Sequence, residues 1–381
     1  MNNLETVCFN NARVVLCDAV EDTTVLIEDG SITSVGGPVC GLEVDCNGDY
    51  LMPGIIDLHT DNLEKHYFPR PEIDWHPVSA SIVHDGLCTA VGVTTAYDAV
   101  TIGSYWAKES RMENNLRKLI TGMQLAVEQE LLKANHMLHL RCEVTSDNLH
   151  RMLDEFADVS AVGMLSMMDH TPGQRQYPNL QKYRDRWADE GMTEDEVERH
   201  IEMLHHRQQT VCPPNRQFVA EKAAVLSLPL ASHDDAKTEH IAEAKTLGSH
   251  IAEFPTTMEA AQQARAAGLA VVMGAPNLVR GGSYSGNVST AAVAQEGLLD
   301  VLASDYVPRG LLEGAFLLNK PPFNWELPKA LRTITSNPAE AAGLSDRGMI
   351  TPGKRADLVT VSEVAGWPLV RSVWVSGHRV V

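Results

Sequence analysis

The chain has 381 residues, and 31 lysines and arginines against 50 aspartates and glutamates give it a formal net charge of −19. At about 150 residues per domain, this length predicts two or three domains, or one large barrel with an appendage. Hydrophobic residues make up 44% and charged residues 21%, which is typical of a folded globular protein. The acidity excludes non-specific nucleic-acid binding, which needs a basic surface.

The sequence also limits the cellular location of the protein and the role of its cysteines. No apolar run comes near the roughly 18 residues of a membrane-spanning helix. The first residues, MNNLETVCFN, do not combine a basic region with an apolar one, so we expect no secretory signal. Seven cysteines without a CxxC pair disfavour a disulfide framework or a cysteine zinc site. We therefore expect a protein of the reducing cytoplasm.

Both ends of the chain are predicted to be β-structure. Residues 1–50 contain several β-rich runs, with a turn at Glu28–Ser31. Residues 346–381 contain two more runs, then a turn at Ser376–His378 and a final short strand. We expect the two ends to pair in one small domain.

The middle of the chain, residues 51–345, repeats a different pattern. Eight strand-like apolar runs each end in polar residues, and helical stretches lie between most of them. The runs are Leu51–Asp61, Gly92–Asp98, Met137–Glu143, Val162–His170, Val225–Asp234, Ser249–Phe254, Ala270–Pro276 and Leu298–Asp305. Eight β-then-α units over about 260 residues predict a (β/α)8 TIM barrel of the α/β class. A doubly wound open sheet is the alternative, but no GxGxxG follows any of the runs.

The helices between the runs have recognisable ends. We predict a long amphipathic helix over Glu109–Lys133, and a helix capped by Ser146 or Asp147 that runs to Phe156. Gly248 and Gly268 stand where helices would end.

One connection, residues 171–221, is too long for a plain barrel unit. It is rich in charge and carries the capping-box pattern Thr193-Glu194-Asp195-Glu196 before a helix. Two interpretations are open: a solvated helical excursion on the surface, or a lid over the active site, since it leaves the carboxyl end of the fourth strand.

Polar side chains at the strand ends should meet at one mouth of the barrel, where TIM barrels carry out chemistry. Six of them are His59, Asp61, Glu143, His170, His233 and Asp305. Three imidazoles and three carboxylates predict a divalent metal site, with Zn²⁺, Mn²⁺ or Fe²⁺ as suitable ions. Six ligands can hold two ions, with Glu143 as the bridge. A pair about 3.5–4 Å apart would lower the pKa of a shared water to roughly 7, and Asp305 could then act as general base.

Other polar residues in the same region are interpreted as structural. Asp98 and Glu253 also end strands, and a single carboxylate there is no evidence for a ligand. We expect His139 to be a hydrogen-bonded core histidine one layer deeper in the barrel. His84 lies in a helical stretch and is given only a weak functional role.

A second group of residues indicates an anionic ligand. The segment Asn277–Asn287 follows the seventh strand, and Gly281, Gly282 and Ser283 could expose backbone N–H groups to an anion, although a plain glycine-rich loop is equally compatible. Cations stand near other strand ends; they are Lys65, His66, Arg70, Arg141, Arg175 and Arg280. Arginine suits phosphate because its donors form a planar fork.

These motifs also carry a family resemblance. Leu51–His59 and the closing Gly353–Val359 resemble the amidohydrolase superfamily. Longer stretches resemble, within it, the hydrolases of alkylphosphonate utilisation in the carbon–phosphorus lyase pathway. The stretches are His59–His66, Pro69–Pro71, Ser166–Gln176, Ala231–Asp235, Glu253–Thr257 and Met273–Asn287.

The resemblance implies a metal-dependent barrel with a small β-sandwich built from both termini. It also implies a small anionic sugar-triphosphate substrate, a ribose 5-triphosphate cut at its α–β anhydride with release of pyrophosphate. The superfamily's usual HxH on strand one is here HxD, with Asp61. No lysine ends strands three or four, so Glu143 takes the bridging role.

The sequence leaves two alternatives to a triphosphate hydrolase. One is an amidohydrolase that acts on a cyclic amide or deaminates a base with the same metals. The other is a non-catalytic scaffold that has lost its metals, which the six intact ligand positions disfavour. Neither a nucleic acid nor a membrane is expected as a partner, and a homo-oligomer is left open.

Overall fold

A computed structural model describes residues 6–70, 73–103, 110–157, 159–283 and 286–381, without the side chains of 110–114. Its strands fall into two separate sheets of eight strands each. No helix in these ranges has the length and apolar character needed to cross a membrane.

The first sheet joins the two ends of the chain. Five of its strands come from the N-terminal part: β1 (Val7–Val15), β2 (Val20–Glu28), β3 (Ser31–Val35), β4 (Leu42–Asp45) and β5 (Tyr50–Pro53). Three come from the C-terminal part: β14 (Leu358–Val364), β15 (Trp367–Val375) and β16 (His378–Arg379). Their order is β16-β15-β14-β5-β1-β2-β3, with β4 paired to β1. The rings of Phe9 and Trp374 pack edge to face at 5.1 Å in its core, so residues from both chain ends share one hydrophobic cluster.

The second sheet is the barrel. Its strands are β6 (Ile55–Thr60), β7 (Val93–Ile102), β8 (Asn135–Glu143), β9 (Val162–Met168), β10 (Leu230–His233), β11 (Ile251–Glu253), β12 (Ala270–Gly274) and β13 (Val301–Ala303). They pair in parallel and in chain order from β6 to β13. Beyond the named strands, Asp305 donates its N–H to the carbonyl of His59 (2.9 Å) and accepts from the N–H of Asp61 (2.8 Å). This seam brings the first and last strands together, so the barrel is confirmed and the doubly wound sheet is wrong.

The predicted run Leu51–Asp61 is divided between the two sheets. Its residues 51–53 belong to β5 and Ile55–Thr60 form β6, with Gly54 between the two strands and Asp61 directly after β6. A Cβ atom on Gly54 would lie 2.2 Å from Oγ1 of Thr94, so the chain can cross here only without a side chain.

Helices surround the barrel. They are α1 (Asn62–Tyr67), α2 (Pro77–Ala90), α3 (Ser110–Glu128), α4 (Leu149–Phe156), α5 (Leu180–Asp189), α6 (Glu194–Thr210), α7 (Cys212–Leu226), α8 (Thr238–Thr246), α9 (Met258–Ala266), α10 (Ala275–Arg280), α11 (Thr290–Gln295), α12 (Gly310–Leu318), α13 (Leu327–Arg332) and α14 (Ser336–Ala341). The barrel interior is a packed apolar core that includes Ile56, Tyr97 and Met164.

Helix ends differ in detail from the expectation. Gly248 and Gly268 do follow helices, with φ of +85° and +76°. Asn148, rather than Ser146 or Asp147, stands at the N-cap position of the helix that ends at Phe156, and its side chain makes no capping hydrogen bond. Ser146 instead donates its hydroxyl to the side chain of Asn148, so the cap lies closer to the helix than predicted. The predicted start of α3 at residue 109 lies outside the described residues.

The excursion at 171–221 forms helices α5, α6 and the start of α7. Thr193 and Glu196 form the predicted capping box. Tyr183 and Trp187 of α5 pack with Val197 and Ile201 of α6 in a small cluster of their own. Val225, predicted to begin the fifth strand, lies in α7, because the left-handed Ser227 and then Pro229 separate that helix from β10.

Candidate active site

A cleft of about 210 Å³ opens at the carboxyl ends of the barrel strands. Its lining residues are His59, Asp61, Arg141, Gln176, His233, Asp234, Phe254, Pro255, Met273, Gly274, Asn277, Arg280, Gly282, Ser283, Asn287, Val288, Asp305 and Tyr306.

The first half of the polar cluster consists of His59 near the end of β6, Asp61 directly after that strand, and Asp305, two residues after β13. His59 is buried, and its Nε2 lies 3.2 Å from Oδ1 of Asp61. Potential ligand atoms of His59, Asp61 and Asp305 all lie within 4.8 Å of one another. Asp305 has a φ of +54°, a left-handed conformation that an aspartate tolerates and that is typical of strained functional positions.

Glu253, at the end of β11, contacts two histidines at once. Its Oε1 lies 2.7 Å from Nδ1 of His59, and its Oε2 lies 2.7 Å from Nδ1 of His233. Burial alone would lower the pKa of His59, but the carboxylates of Glu253 and Asp61 raise it to about 10. The interpretation of Glu253 as an ordinary strand-end carboxylate missed this central position.

Glu143 and His170 form a separate pair at the ends of β8 and β9. Nδ1 of His170 lies 2.6 Å from Oε2 of Glu143, whose other oxygen accepts a bond from the hydroxyl of Thr145. Burial lowers the pKa of His170, but the nearby Glu143 outweighs it and the net shift is upward. Neither residue is among those that line the cleft, but the charges of Asp234 and Arg141, which do line it, act on the imidazole of His170.

His139 lies deeper, as expected of a core histidine. Its Nδ1 is 3.2 Å from the carbonyl of Leu58 and its Nε2 is 2.8 Å from Oγ of Ser166. Burial lowers its pKa to about 3, so the ring is neutral. Both nitrogens are already bonded, which removes His139 from the ligand set.

The cluster fits a divalent cation by its chemistry. Imidazole nitrogens and carboxylate oxygens are the mixed ligand set that borderline divalent ions prefer. The carboxylates hold protons on His59 and His170, and a bound cation can replace such protons. Burial raises the pKa of Asp305, and the neighbouring Asp61 adds to the rise.

Three of the predicted cations reach the cleft or its rim. Arg141 lines the cleft and donates to Oδ1 of Asp61 at 3.0 Å. Arg280 donates to the hydroxyl of Tyr306 at 3.2 Å, and Nζ of Lys65 lies 5.5 Å from the centre of the Tyr306 ring. One aromatic side chain, which the sequence analysis did not name, thus gathers two positive charges.

The glycine segment is only partly a loop. Asn277–Arg280 belong to α10, which ends at the left-handed Gly281. Gly282 and Ser283 line the cleft, whereas Gly281 does not appear among the lining residues. Residues 284 and 285 lie outside the described residues.

The remaining predicted cations point elsewhere. Arg175 is buried, and its guanidinium bonds to Asp235 and to the carbonyl of His233. Its position in the sequence suggested substrate contact, but its donors face α8 and the end of β10. His66 packs against the ring of His84 at 5.9 Å, and Arg70 is exposed in a bridge with Ile73.

His84 takes part in a buried cluster outside the barrel wall. Oδ1 of Asp98 lies 2.6 Å from Nε2 of His84, and Oδ2 lies 2.8 Å from Nδ1 of His136. Asp85 adds a contact of 3.3 Å to Nε2 of His136. This cluster fastens α2 to β7 and β8, in agreement with a structural role for Asp98.

A family model described as the amidohydrolase family matches residues 50–380. The chain belongs to the amidohydrolase family. A relative from Escherichia coli (strain K12), alpha-D-ribose 1-methylphosphonate 5-triphosphate diphosphatase, is 41% identical over 375 residues, 97% of this chain and 99% of that protein. L-hydantoinase from Paenarthrobacter aurescens is 23% identical over 119 residues, 29% of this chain and 25% of that protein.

The fold of this amidohydrolase also matches solved structures. N-acetylglucosamine-6-phosphate deacetylase from Pasteurella multocida aligns with a TM-score of 0.64 at 12% identity, covering 98% of this chain and 99% of that one. At that identity the likeness concerns the fold alone. It agrees with a parallel barrel accompanied by a sheet from the termini.

Sequence reasoning missed Glu253, Phe254 and Tyr306 in this amidohydrolase. Phe254 has a φ of +53°, and its ring lies 5.1 Å from that of His59 and 5.4 Å from that of His233. Glu253 carried a signal, since it ends a strand in the same way as Glu143. Phe254 and Tyr306 directly follow strand-end acids, but nothing in their sequence context distinguishes them from core aromatics.

Proposed function

We propose that this chain is a metal-dependent hydrolase that cleaves the α–β phosphoanhydride of alpha-D-ribose 1-methylphosphonate 5-triphosphate. The products are the corresponding 5-phosphate and pyrophosphate, in phosphonate catabolism. The main support is that one cleft contains both an imidazole–carboxylate cluster and a cationic rim at Tyr306. The near full-length relative that carries this name gives the substrate.

The proposed cofactor is a divalent metal, and the complete site is proposed to hold two ions. Zn²⁺ is preferred over Mn²⁺ and Fe²⁺ as the bound metal. The ligand set proposed from the sequence is His59, Asp61, Glu143, His170, His233 and Asp305. When bound, the ion or ions supply Lewis-acid stabilisation of phosphoryl charge and lower the pKa of water. For Glu143 and His170 to take part, their mutual hydrogen bond has to open toward the cleft.

The protein's own groups then have defined tasks. Asp305, whose pKa is raised by burial, accepts the proton from the attacking water. Arg280 and Lys65 hold the β- and γ-phosphates that leave as pyrophosphate, with backbone N–H groups at Gly282 and Ser283 beside them. Arg141, at the floor of the cleft, faces the α-phosphate. Arg175 is left out, because it does not line the cleft and its NH1 group bonds to Asp235 and to the carbonyl of His233.

The competing function is hydrolysis of a cyclic amide or deamination of a base. The partial match to L-hydantoinase is in keeping with it, but that match covers only 29% of this chain. A cationic rim is of little use for a neutral substrate. A scaffold without catalysis is disfavoured by the retained carboxylate and imidazole cluster.

Phosphorus NMR of the reaction products distinguishes these functions. The metal-loaded protein is incubated with ribose and nucleoside 5-triphosphates, and in parallel with cyclic amides. Release of pyrophosphate without free orthophosphate supports the proposal. Amide turnover without triphosphate cleavage would contradict it. Metal analysis that finds no bound divalent ion, even after growth in supplemented medium, would favour the scaffold.

We further propose a homo-oligomer that forms through the outward face of α2. Ile82, Val83 and Leu87 are 42%, 53% and 38% exposed there, and the two titratable residues of the helix, His84 and Asp85, are buried. In a chain of net charge −19, a face without charge is where a second copy can pack without like-charge repulsion. Val83→Glu should lower the mass measured by sedimentation, and an unchanged mass would contradict the proposal.

We also propose how the chain divides into domains. The small β-sandwich domain consists of residues 1–50 and 346–381, and the barrel domain consists of residues 51–345, including the helical excursion at 171–221. Gln176, at the start of that excursion, lines the cleft, which supports a lid more than a remote surface segment. The seven cysteines are free, which supports a cytoplasmic protein.

A further inference from the structure

Glu253 is a single buried carboxylate that binds two candidate metal ligands. We propose that it is a shared positioning residue, which holds His59 and His233 in the tautomer that presents Nε2 to the cleft. Each of its oxygens lies 2.7 Å from one Nδ1. The inference rests on the proposed metal-dependent function, because positioning matters only if the two Nε2 atoms bind an ion.

The metal-binding nitrogen follows from the hydrogen bonds. An ionised carboxylate can only accept, so both rings donate Nδ1–H to Glu253. Nε2 is then the nitrogen left to bind a metal, and on His59 the metal displaces the proton that Asp61 helps to hold. Nε2 of His59 then faces Asp61, and Nε2 of His233 faces Asp234 at 3.5 Å.

The packing around Glu253 makes the two rings depend on it together. The rings of His59 and His233 are stacked at 5.9 Å with 23° between their planes. Phe254, the next residue in the chain, packs its ring against both, so the backbone that places the carboxylate also limits the tilt of the imidazoles. His139 does not compete, since both of its nitrogens are bonded elsewhere.

The chain contains a matched control. Asp98 is also a buried carboxylate between two histidines, His84 and His136, at 2.6 and 2.8 Å. Those rings lie between α2 and the barrel wall and do not line the cleft. Replacing the carboxylate by an amide removes a buried charge at both Asp98 and Glu253, but only at Glu253 does it also affect candidate metal ligands. Comparing the two variants therefore distinguishes an effect on ligand position from a general effect of losing a buried charge.

The test uses the full chain with Glu253→Gln and Asp98→Asn. In Glu253→Gln one imidazole faces an amide N–H₂, so that ring must give up its Nδ1–H tautomer. Affinity for Zn²⁺, measured by competition with a chromophoric chelator, should fall about 10- to 100-fold in Glu253→Gln, as is typical for loss of an outer-shell partner. Asp98→Asn should bind Zn²⁺ as the wild type does, although both variants lose stability.

A second readout is independent of activity. Nitrogen-15 NMR of the zinc-free protein should show a proton on Nδ1 of both His59 and His233 in the wild type, and loss of that proton from one of them in Glu253→Gln. Glu253→Asp is the variant to use if the glutamine form does not fold, and its Zn²⁺ affinity should also fall.

Wild-type Zn²⁺ affinity in Glu253→Gln, or an equal loss in Asp98→Asn, would overturn the inference. Neither measurement uses a phosphate ester. Loss of Zn²⁺ affinity without any triphosphate hydrolysis by the wild type would therefore refute the proposed function and leave the inference standing.

Discussion

Arg141 donates a hydrogen bond to Oδ1 of Asp61 at 3.0 Å, and this is the same oxygen that lies 3.2 Å from Nε2 of His59. A guanidinium thus stands beside a candidate metal ligand, where it repels a cation and attracts an anion. Arg141 also lines the cleft, so its positive charge is available to an anionic ligand.

Arg141→Met should therefore weaken substrate binding without loss of the metal. A charge-assisted hydrogen bond contributes about 1.5–3 kcal/mol, so we expect KM for a 5-triphosphate to rise about 10- to 100-fold. Steady-state kinetics with metal analysis of the same sample checks this. A drop in metal content with an unchanged KM would show that Arg141 supports Asp61 instead.

Asp305→Asn should remove the general base. We expect the fold and most of the metal to be retained, while kcat falls about 10²- to 10⁴-fold because the attacking water no longer loses its proton to a carboxylate. Turnover is measured together with metal content and melting temperature. Turnover close to that of the wild type would exclude Asp305 from the mechanism.

Arg280→Ala should raise KM for a 5-triphosphate more than for a 5-diphosphate, because its guanidinium is placed to hold the terminal phosphates. Tyr306→Phe is the matched variant: it removes the hydroxyl that accepts from Arg280 but keeps the ring beside Lys65. We expect a smaller change of the same kind in it. Equal effects of Arg280→Ala on both substrates would exclude Arg280 from the polyphosphate site.

Arg175→Met should lower stability rather than substrate affinity. The substitution leaves the buried carboxylate of Asp235 without its partner, which typically costs about 3–5 kcal/mol. The free energy of unfolding is obtained from urea titrations, and the double variant with Asp235→Asn should recover part of the loss. A raised KM with normal stability would return Arg175 to the substrate site.

The Asp98 cluster predicts how stability varies with pH. Burial would lower the pKa of His136, but Asp98 and Asp85 raise it from 6.5 to about 9. Burial would raise the pKa of Asp98, but His136 and His84 lower it from 3.8 to about 2. The contribution of His136 is therefore complete below pH 6.5 and is lost as the pH rises through about 9. That of Asp98 is complete above pH 3.8 and is lost as the pH falls through about 2.

The predicted direction of this pH dependence is tested by urea unfolding of the wild type and of His136→Gln. The free energy of unfolding is measured between pH 6 and 10, at pH values about one unit apart. The wild type should lose stability toward pH 9 and above, and the variant should lose less over the same interval. An identical pH dependence in both proteins would mean that His136 is neutral in the folded state.

Much of the fold was predictable because the barrel repeats one simple pattern. Each apolar run that ended in polar residues became a barrel strand, from β6 with His59 to β13 with Asp305 following it. The exact ends of the strands and helices were harder to predict. Whether Val225 continues a helix or begins a strand depends on packing around Ser227 and Pro229, which hydrophobicity alone does not encode.

The site was predictable as a set of positions rather than as a set of contacts. Strand alternation fixes that His59 and Asp61 face the mouth, but it does not fix the direction of long side chains. Arg141 lies near the end of β8 and Arg175 follows β9, yet the first reaches the cleft and the second turns to Asp235. Glu253 was passed over for the same reason, since its two histidine partners come from other strands.

The barrel seam has a consequence for folding. Ser304 and His59, whose side chain and carbonyl meet there, are 245 residues apart in the chain. Contacts of such sequence separation form late, because closing a long loop costs entropy before any contact repays it. The carboxylate of Asp305 therefore reaches the imidazole of His59 only when the first and last barrel strands meet. We expect a refolding chain to gain helices and most of its core first, and its ability to capture metal only in the final step.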